Sequence, residues 1–266
     1  MKLVDLPPYR NFITEGQPMA VEIVENLKRK RQIDGIEIDI DDGYPTDWTD
    51  EARDEEFLVH ISPGIVKRVR ELSESGKYDA IVSHGSIEPG VAAARQVSKI
   101  PFVSAVHATL HIASLIGERF TIIEATDTQA QIVRHLAEAY GFGKKLVSVR
   151  YPSYSSTRFG KLFRKYKKEE RANAPELKKA IDDIVKQCVT AIEEDRADTI
   201  ILACPPLQVL EDEIRQGVDD AGYSEIQIIC ELAAAIEMAR VMVHLKLIPA
   251  KRAYPSDSLI KKPAFR

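Results

Sequence analysis

The sequence predicts an α/β fold: two doubly wound parallel-sheet lobes related by pseudo-twofold symmetry, with the functional site in the cleft between them. Three observations carry this. Short apolar runs rich in Ile and Val, closed by Gly or Pro, read as buried parallel strands rather than helices. They alternate with longer helical stretches along most of the 266 residues, which gives βαβ units. Finally, a strand-end unit occurs twice, since Asp198-Thr199-Ile200-Ile201-Leu202-Ala203-Cys204 lines up with Asp79-Ala80-Ile81-Val82-Ser83-His84-Gly85. The match resumes between Ser98-Lys99-Ile100-Pro101-Phe102-Val103 and Ser224-Glu225-Ile226-Gln227-Ile228-Ile229, which indicates an internal duplication.

Strands are predicted at 2–6, 35–40, 79–83, 102–105, 120–123, 145–149, 198–203 and 226–229. Helices follow most of them, at 19–30, 63–75, 89–98, 109–116, 129–140, 175–195, 207–221 and 233–247. The helix at 175–195 carries Leu177, Ile181, Ile184, Cys188 and Ile192 at spacings of three and four, the buried stripe of an amphipathic helix. Cys188 is therefore core. The tail 248–266, with Pro249, Pro255 and Pro263, reads as an extended arm over a neighbour or the same subunit, and hints at a homo-oligomer.

Composition fits a soluble enzyme. Hydrophobic residues make up 44%, enough for a proper core. Lys plus Arg at 37 against Asp plus Glu at 41 leaves −4, which argues against nucleic acid as a partner. No apolar run approaches the roughly 20 residues of a membrane span, and Pro7 interrupts the N-terminus before a signal core can form, so no membrane partner and a cytoplasmic location are expected. An odd count of 3 cysteines fits a reducing compartment.

Ligands of parallel α/β sheets sit beyond the carboxyl ends of strands, where Gly85 and Cys204 both fall. Cys204 precedes a helix beginning near Pro206 or Leu207, whose unpaired amides favour a thiolate. Cys230 ends a strand as a small buried residue or a cleft lining. Ser83, His84 and Ser86 flank Gly85; His84 is the candidate second proton carrier, although alternation along the strand could equally turn it into the lobe. Ser86 and Thr126 are candidate hydrogen-bond donors to a carboxylate or enolate. Tyr9 and Arg10 end the first strand within reach of an anionic substrate, and the turn-rich segment 151–158 reads as a lid in which Tyr154 stacks on substrate and Arg158 meets a carboxylate. Lys161, Arg164, Lys165, Lys167 and Lys168 read as a solvated helix face.

Cofactor motifs are absent. Gly85 and Gly90 have P-loop spacing without its Lys-Ser/Thr pair, and Gly141-Phe142-Gly143 lacks the third glycine of a dinucleotide turn. His107 and His111 are one helical turn apart without the Glu of a zinc protease motif, so no metal is expected. His107 remains a candidate ligand contact.

The stretch 78–123, with Glu88-Pro89-Gly90-Val91-Ala92-Ala93-Ala94-Arg95 and Leu110-His111-Ile112-Ala113-Ser114-Leu115-Ile116-Gly117-Glu118-Arg119-Phe120, resembles hydantoin racemases of the Asp/Glu/hydantoin racemase superfamily. The resemblance resumes at 197–204 and 226–247. It implies cofactor-independent chemistry on a small carbon acid, anionic or a cyclic amide, between lobes formed by 1–117 with 223–247 and by 118–222. Racemases of this kind carry one cysteine per lobe, whereas the arylmalonate decarboxylase of the superfamily carries one in all. Gly85 matches the first position and Cys204 the second, so the chain resembles the one-thiol pattern. It departs from the racemase pattern at Pro7-Pro8-Tyr9-Arg10, at Glu124-Ala125 where a Thr-Thr pair is usual, and at Pro205-Pro206. The expected function is a cofactor-independent isomerase of racemase type in which Cys204 protonates an enolate. A one-thiol decarboxylase and a non-catalytic binding protein for small acids are the alternatives.

Overall fold

The computed structural model describes residues 1–10, 17–48, 53–166, 168–171 and 173–255. Its elements run β1 (Lys2–Leu6), α1 (Gln17–Arg29), β2 (Glu37–Ile40), α2 (Glu55–Glu74), β3 (Ala80–Ser83), α3 (Val91–Val97), β4 (Phe102–Ser104) and α4 (Ala105–Ile116) in the first half. The second half holds β5 (Phe120–Ile123), α5 (Asp127–Ala139), β6 (Leu146–Arg150), α6 (Ser156–Lys165), α7 (Lys168–Arg171), α8 (Pro175–Glu193), β7 (Thr199–Leu202), α9 (Pro205–Val209), α10 (Glu211–Asp220), β8 (Gln227–Cys230) and α11 (Glu231–His244). Two four-stranded parallel sheets result, ordered β2-β1-β3-β4 and β6-β5-β7-β8.

The two sheets repeat each other in detail. Asp79 donates its amide to the Lys2 carbonyl at 2.8 Å and accepts the Lys2 amide on its carboxylate at 2.7 Å. Asp198 does the same one sheet later, donating to the Arg119 carbonyl at 2.7 Å and accepting the Glu118 and Arg119 amides at 2.9 and 3.0 Å. At the other end, His84 donates to the Leu6 carbonyl and Ala203 to the Ile123 carbonyl, both at 3.1 Å. Ile81 pairs with Phe102 and Ile200 with Ile228, the register that the sequence repeat predicts.

The last helix of each half crosses to the other sheet. α4 leaves β4 of the first sheet, yet its Val106, Leu110 and Ala113 pack with Phe120, Ile122 and Ile201 of the second. α11 leaves β8 of the second sheet, and its Ala235, Ile236 and Ala239 pack with Leu3, Ala80, Val82 and Val103 of the first. Between them, Ala105 and Ala108 of α4 share a cluster with Leu232 and Ala235 of α11. Small side chains here let the two helices approach closely.

Several elements differ from expectation. The final strand, expected with the first lobe, is hydrogen-bonded to β7 in the second sheet, and only the helix after it returns to the first. α2 begins at Glu55 rather than Pro63, because Asp54 caps it by accepting the Phe57 amide at 3.0 Å and Glu55 and Glu56 suit its first turn. Pro63 is interior, and just before it Ser62 donates its hydroxyl to the Leu58 carbonyl at 2.5 Å. The helix expected at 207–221 starts at Pro205 and breaks at Leu210 (φ −94°, ψ 16°) into α9 and α10. α4 starts directly at Ala105, without the expected loop before 109. The segment read as a lid contains the start of α6, capped by Ser155, which accepts the Arg158 amide at 3.3 Å. The basic run lies on α6 and α7, with Lys167 outside the described residues.

The described part of the C-terminal arm lies on its own subunit. Lys251 donates to the Ser98 carbonyl at 2.5 Å, Gln96 donates to the Pro255 carbonyl, and Arg95 stands 5.8 Å from the Tyr254 ring centre. Residues 256–266 of that arm lie outside the described residues.

The paired Asp clamps predict an asymmetric cost. Asp198 serves two backbone amides and also accepts the Thr199 hydroxyl at 2.9 Å, where Asp79 serves one amide. Asp198→Ala should lower stability by about 1–2 kcal/mol and Asp79→Ala by less, given the usual net worth of charge-assisted bonds. Urea unfolding midpoints measure both; equal shifts would show that the extra bonds at Asp198 contribute nothing.

Candidate active site at the lobe seam

Cys204 stands two residues beyond the end of β7 and caps α9, with Pro205 and Pro206 opening that helix. Its own carbonyl accepts the Leu207 amide at 3.0 Å. α9 is a single short helix of 5 residues, so the amides it presents are those of one turn. The side chain is 3% exposed and belongs to an apolar cluster with Ala125, Tyr154, Phe159 and Leu207. Tyr154 is packed in this cluster, and Arg158 stands over its ring at 3.9 Å.

The repeat partner of Cys204 is Gly85, whose φ of +119° is a conformation that side chains disfavour. A Cβ there would meet only Pro8, at 3.4 Å. Backbone conformation rather than space thus explains the glycine. On either side, Ser83 and His84 are buried, and His84 is turned into the first lobe with Nδ1 3.3 Å from the Asp5 carboxylate. Asp5 pairs with Val82, two residues before His84, so strand alternation puts both side chains on one face of the sheet.

Ser86 points the other way. Its hydroxyl is close enough to the carboxyl of Glu124, at the end of β5 in the second lobe, to stabilise the charged form. Glu124 is wholly buried, and its Oε1 accepts the Ala125 amide at 2.7 Å. Ile123, Leu202 and Cys230 form one row across β5, β7 and β8, so the next row is Glu124, Ala203 and Glu231. Glu231 is also buried, at the start of α11. A third buried carboxyl, Glu88, lies in the turn before α3 at φ +44°, a strained conformation for a residue with a side chain. It accepts the Tyr140 hydroxyl of the second lobe at 2.5 Å and the His107 amide at 3.1 Å.

Burial pushes Glu124 up from 4.5 to about 7, against the pull of Ser86 and the Ala125 amide. Glu231 is raised well above the carboxylate range by burial and then by Glu124 and Glu88. Glu88 is raised by burial, opposed by Tyr140, the His107 amide, Ser104 and Arg95. Arg95 is itself engaged, with His107 Nδ1 at 2.9 Å and Ser104 at 3.2 Å. His107 stacks on Tyr140 at 3.9 Å across the seam, and burial, then Arg95 and His111, lower it to about 4. Because Arg95 only donates, Nδ1 accepts, the ring proton sits on Nε2, and Nε2 donates to His111 at 3.2 Å.

Gln208 ties this region together. Its amide donates to the Ala203 carbonyl, and its Oε1 accepts the Leu232 amide at 3.0 Å and the Cys230 thiol at 3.2 Å. The other expected contacts have partners of their own. Thr126 caps α5, accepting the Gln129 amide at 3.3 Å. Tyr9 packs edge-on against Phe57 at 5.0 Å and accepts from Arg53 at 3.0 Å. Arg10 lies 3.9 Å from Asp42 at a polar pocket of about 350 Å³ beyond β2, where Asp41 holds Arg68 at 2.5 Å. Glu88, Glu124, Glu231, Tyr140 and Gln208 were not among the residues expected from sequence. A charge closing an otherwise apolar run, as at Glu124 and Glu231, is the signal that could have found two of them. Among the described residues no cluster of three or more His, Cys, Asp or Glu is arranged to hold a metal.

Fold and seam define a two-lobed α/β protein with its polar groups gathered where paired strand ends meet. The chain belongs to the Asp/Glu/hydantoin racemase family, whose model matches residues 44–239. It is 24% identical to a hydantoin racemase of Pseudomonas sp. (strain NS671) over 69% of this chain and 65% of that protein, so the match spans just under two thirds of the relative. Among solved structures it is similar to the allantoin racemase of Klebsiella pneumoniae, with a TM-score of 0.74, 20% identity and coverage of 98% and 96% of the two chains. The allantoin racemase of Pseudomonas fluorescens aligns with a TM-score of 0.72 at 21% identity over 98% and 99%. No helix among the described residues is long and apolar enough to cross a membrane.

Holding buried carboxyls neutral makes stability pH-dependent. A carboxyl whose folded pKa lies above its unfolded value stabilises the fold below the unfolded value and loses that contribution as pH rises through the folded one. For Glu124 the window runs from 4.5 to about 7. Glu124→Gln should therefore be more stable than wild type at pH 8, by at most about 3 kcal/mol, with the advantage gone at pH 4. Melting temperatures of both proteins across that range test this; parallel curves would mean that folding does not raise the Glu124 pKa.

Proposed function

We propose that this protein is a cofactor-independent isomerase of racemase type, acting on a neutral cyclic amide with an acidic ring C–H, of the hydantoin class. The observation that carries the reading is the placement of Cys204 and Gly85 at equivalent strand ends of two repeated lobes. Family membership and the names of the relatives support it. The preference for a neutral ring over a carboxylate rests on the three buried carboxyls and on Arg95 being engaged by His107 and Ser104. Carboxyls kept neutral by burial, with Arg95 already engaged, offer an anion no positive charge to offset its desolvation, whereas ring N–H and C=O groups match carboxyls and hydroxyls.

In this mechanism Cys204, as thiolate, takes the ring proton next to the carbonyl. The electron pair moves onto that carbonyl oxygen, strand-end amides and the Ser86 hydroxyl hold the enolate, and reprotonation restores the ring. A second reading, decarboxylation with one-face protonation, is favoured by one observation, Gly85 where a second thiol would stand.

Single enantiomers of allantoin and 5-methylhydantoin in deuterium oxide separate the readings. The isomerase should lose optical rotation and exchange the ring C–H. Carbon dioxide released from phenylmalonate, with both rings untouched, would sink the isomerase reading in favour of the decarboxylase. Cys204→Ala should lower turnover by about two orders of magnitude or more, the usual contribution of a positioned acid or base. Burial pushes Cys188 and Cys230 up to about 12, so both should resist iodoacetamide at pH 8. Cys204 should label first and be protected by bound ligand. Equal, slow labelling of all three by mass spectrometry would count for a non-catalytic binding protein.

A further inference from the structure

We infer that the furrow between α2 and α3 is a docking site for this chain's own residues 256–262, which continue the C-terminal arm beyond Pro255. The furrow is an open cavity of about 580 Å³ whose floor is Val59, Pro63 and Val66 of α2 with Gly90 and Ala93 of α3. Val59 is 74% exposed, so this apolar face has no cover among the described residues. Lys67 and Arg70 stand at the rim. Lys67 is turned to Tyr44, donating to its hydroxyl at 3.2 Å, which leaves Arg70 as the cation available there.

The arm already points into this furrow. α2 and α3 run side by side in the same direction: a Cβ on Gly90 would stand 3.1 Å from the Ser62 carbonyl oxygen, and Lys99, just past α3, pairs with Glu74 at 3.0 Å. Gln96 is therefore level with Arg70. The arm travels along α3 against the direction of the helix, from Lys251 on the Ser98 carbonyl to Tyr254 beside Arg95 and to Pro255, whose carbonyl accepts the Gln96 amide. Ala92 and Ala93, one turn further along, are exposed, so the line of the arm enters the furrow at its Arg70 end.

Charge and hydropathy of the tail match the furrow in that order. An extended chain advances about 3.3 Å per residue, against about 1.5 Å in a helix. Counted from Pro255 at the level of Arg70, Asp257 comes about 7 Å along, on the side toward which the Arg70 side chain leans. Leu259 and Ile260 come at about 13 and 16 Å, level with Pro63 and Val59 at about 10 and 16 Å. Lys262 comes at about 23 Å, level with the exposed Glu55 and Glu56 in the first turn of α2. Acid meets base, the apolar pair meets the apolar floor, and base meets acid. The opposite direction would set Lys261 and Lys262 against Arg70. The arm of a second copy carries the same residues, but this chain's arm is anchored at the mouth of the furrow, which raises its effective concentration there.

The test uses the full chain with Cys204→Ala, so that the buried Cys188 and Cys230 are the only native thiols left. With Val59→Cys and Ile260→Cys added, mild oxidation should join the two positions within one chain. That link should form at least about tenfold faster than one between Ile260→Cys and Leu115→Cys, an exposed position near the end of α4. A monomer band on a non-reducing gel and the linked tryptic peptide in a mass spectrum report it. In the otherwise native chain, trypsin should cut slowly after Lys261. Val59→Glu and Arg70→Glu, both at exposed positions that leave the core intact, should each speed that cut about tenfold, because cleavage follows the population of undocked tail. Equal cross-linking from positions 59 and 115, or cleavage of Val59→Glu at the wild-type rate, overturns the inference. A link formed chiefly between two chains overturns it in favour of arm exchange between copies.

Discussion

The architecture depends on the exchange of α4 and α11 between the lobes. Each helix is built onto one sheet by the chain and buries its apolar face on the other, so neither sheet is covered by its own half alone. Each fully buried Leu or Ile on these faces contributes roughly 1.5–3 kcal/mol, and that contribution is made only when both halves are present. The exchange also fixes what lies at the seam. The β4-to-α4 junction delivers His107 and the β8-to-α11 junction delivers Glu231, because both helices start within a residue of their strands.

The seam that results is polar without being charged in the ordinary sense. Three carboxyls are desolvated together, and an isolated charge in such a place is far costlier than a proton held. Hydrogen bonds then decide which of them differ. Glu88 has both oxygens satisfied and links the lobes through Tyr140, whereas Glu124 and Glu231 each keep an oxygen without a partner among the described residues. The chain Arg95 to His107 to His111 is likewise ordered by donor and acceptor capacity, and keeps His107 neutral beside an arginine. A wall of this kind holds no fixed charge to offset that of an anion, which is the electrostatic ground of the cyclic-amide proposal.

Gly85 shows how a missing side chain can be a backbone matter. The turn after β3 adopts a positive φ that the turn after β7 does not, since Cys204 has φ −55°. The two copies of the repeat therefore diverged in conformation as well as in chemistry.

Strand and helix alternation, the duplication and its register were legible in the sequence, because they depend on local periodicity and on residues such as Asp79 and Asp198 that do the same work twice. Cys188 as core was equally legible from helical spacing. Local chemistry also misled: Pro63 resembled a helix start, while the cap that starts α2 is a side-chain contact of Asp54. Tertiary structure alone decided that β8 joins β7, that α4 and α11 trade sheets, that His84 turns to Asp5, and that Glu88, Glu124 and Glu231 converge. Each of these joins residues distant in the chain, and which partner wins depends on which sheet edge and which apolar face remain open once the rest has packed. A linear pattern records the period of each element; the energy of burying one element's face against another's exists only in the assembled fold.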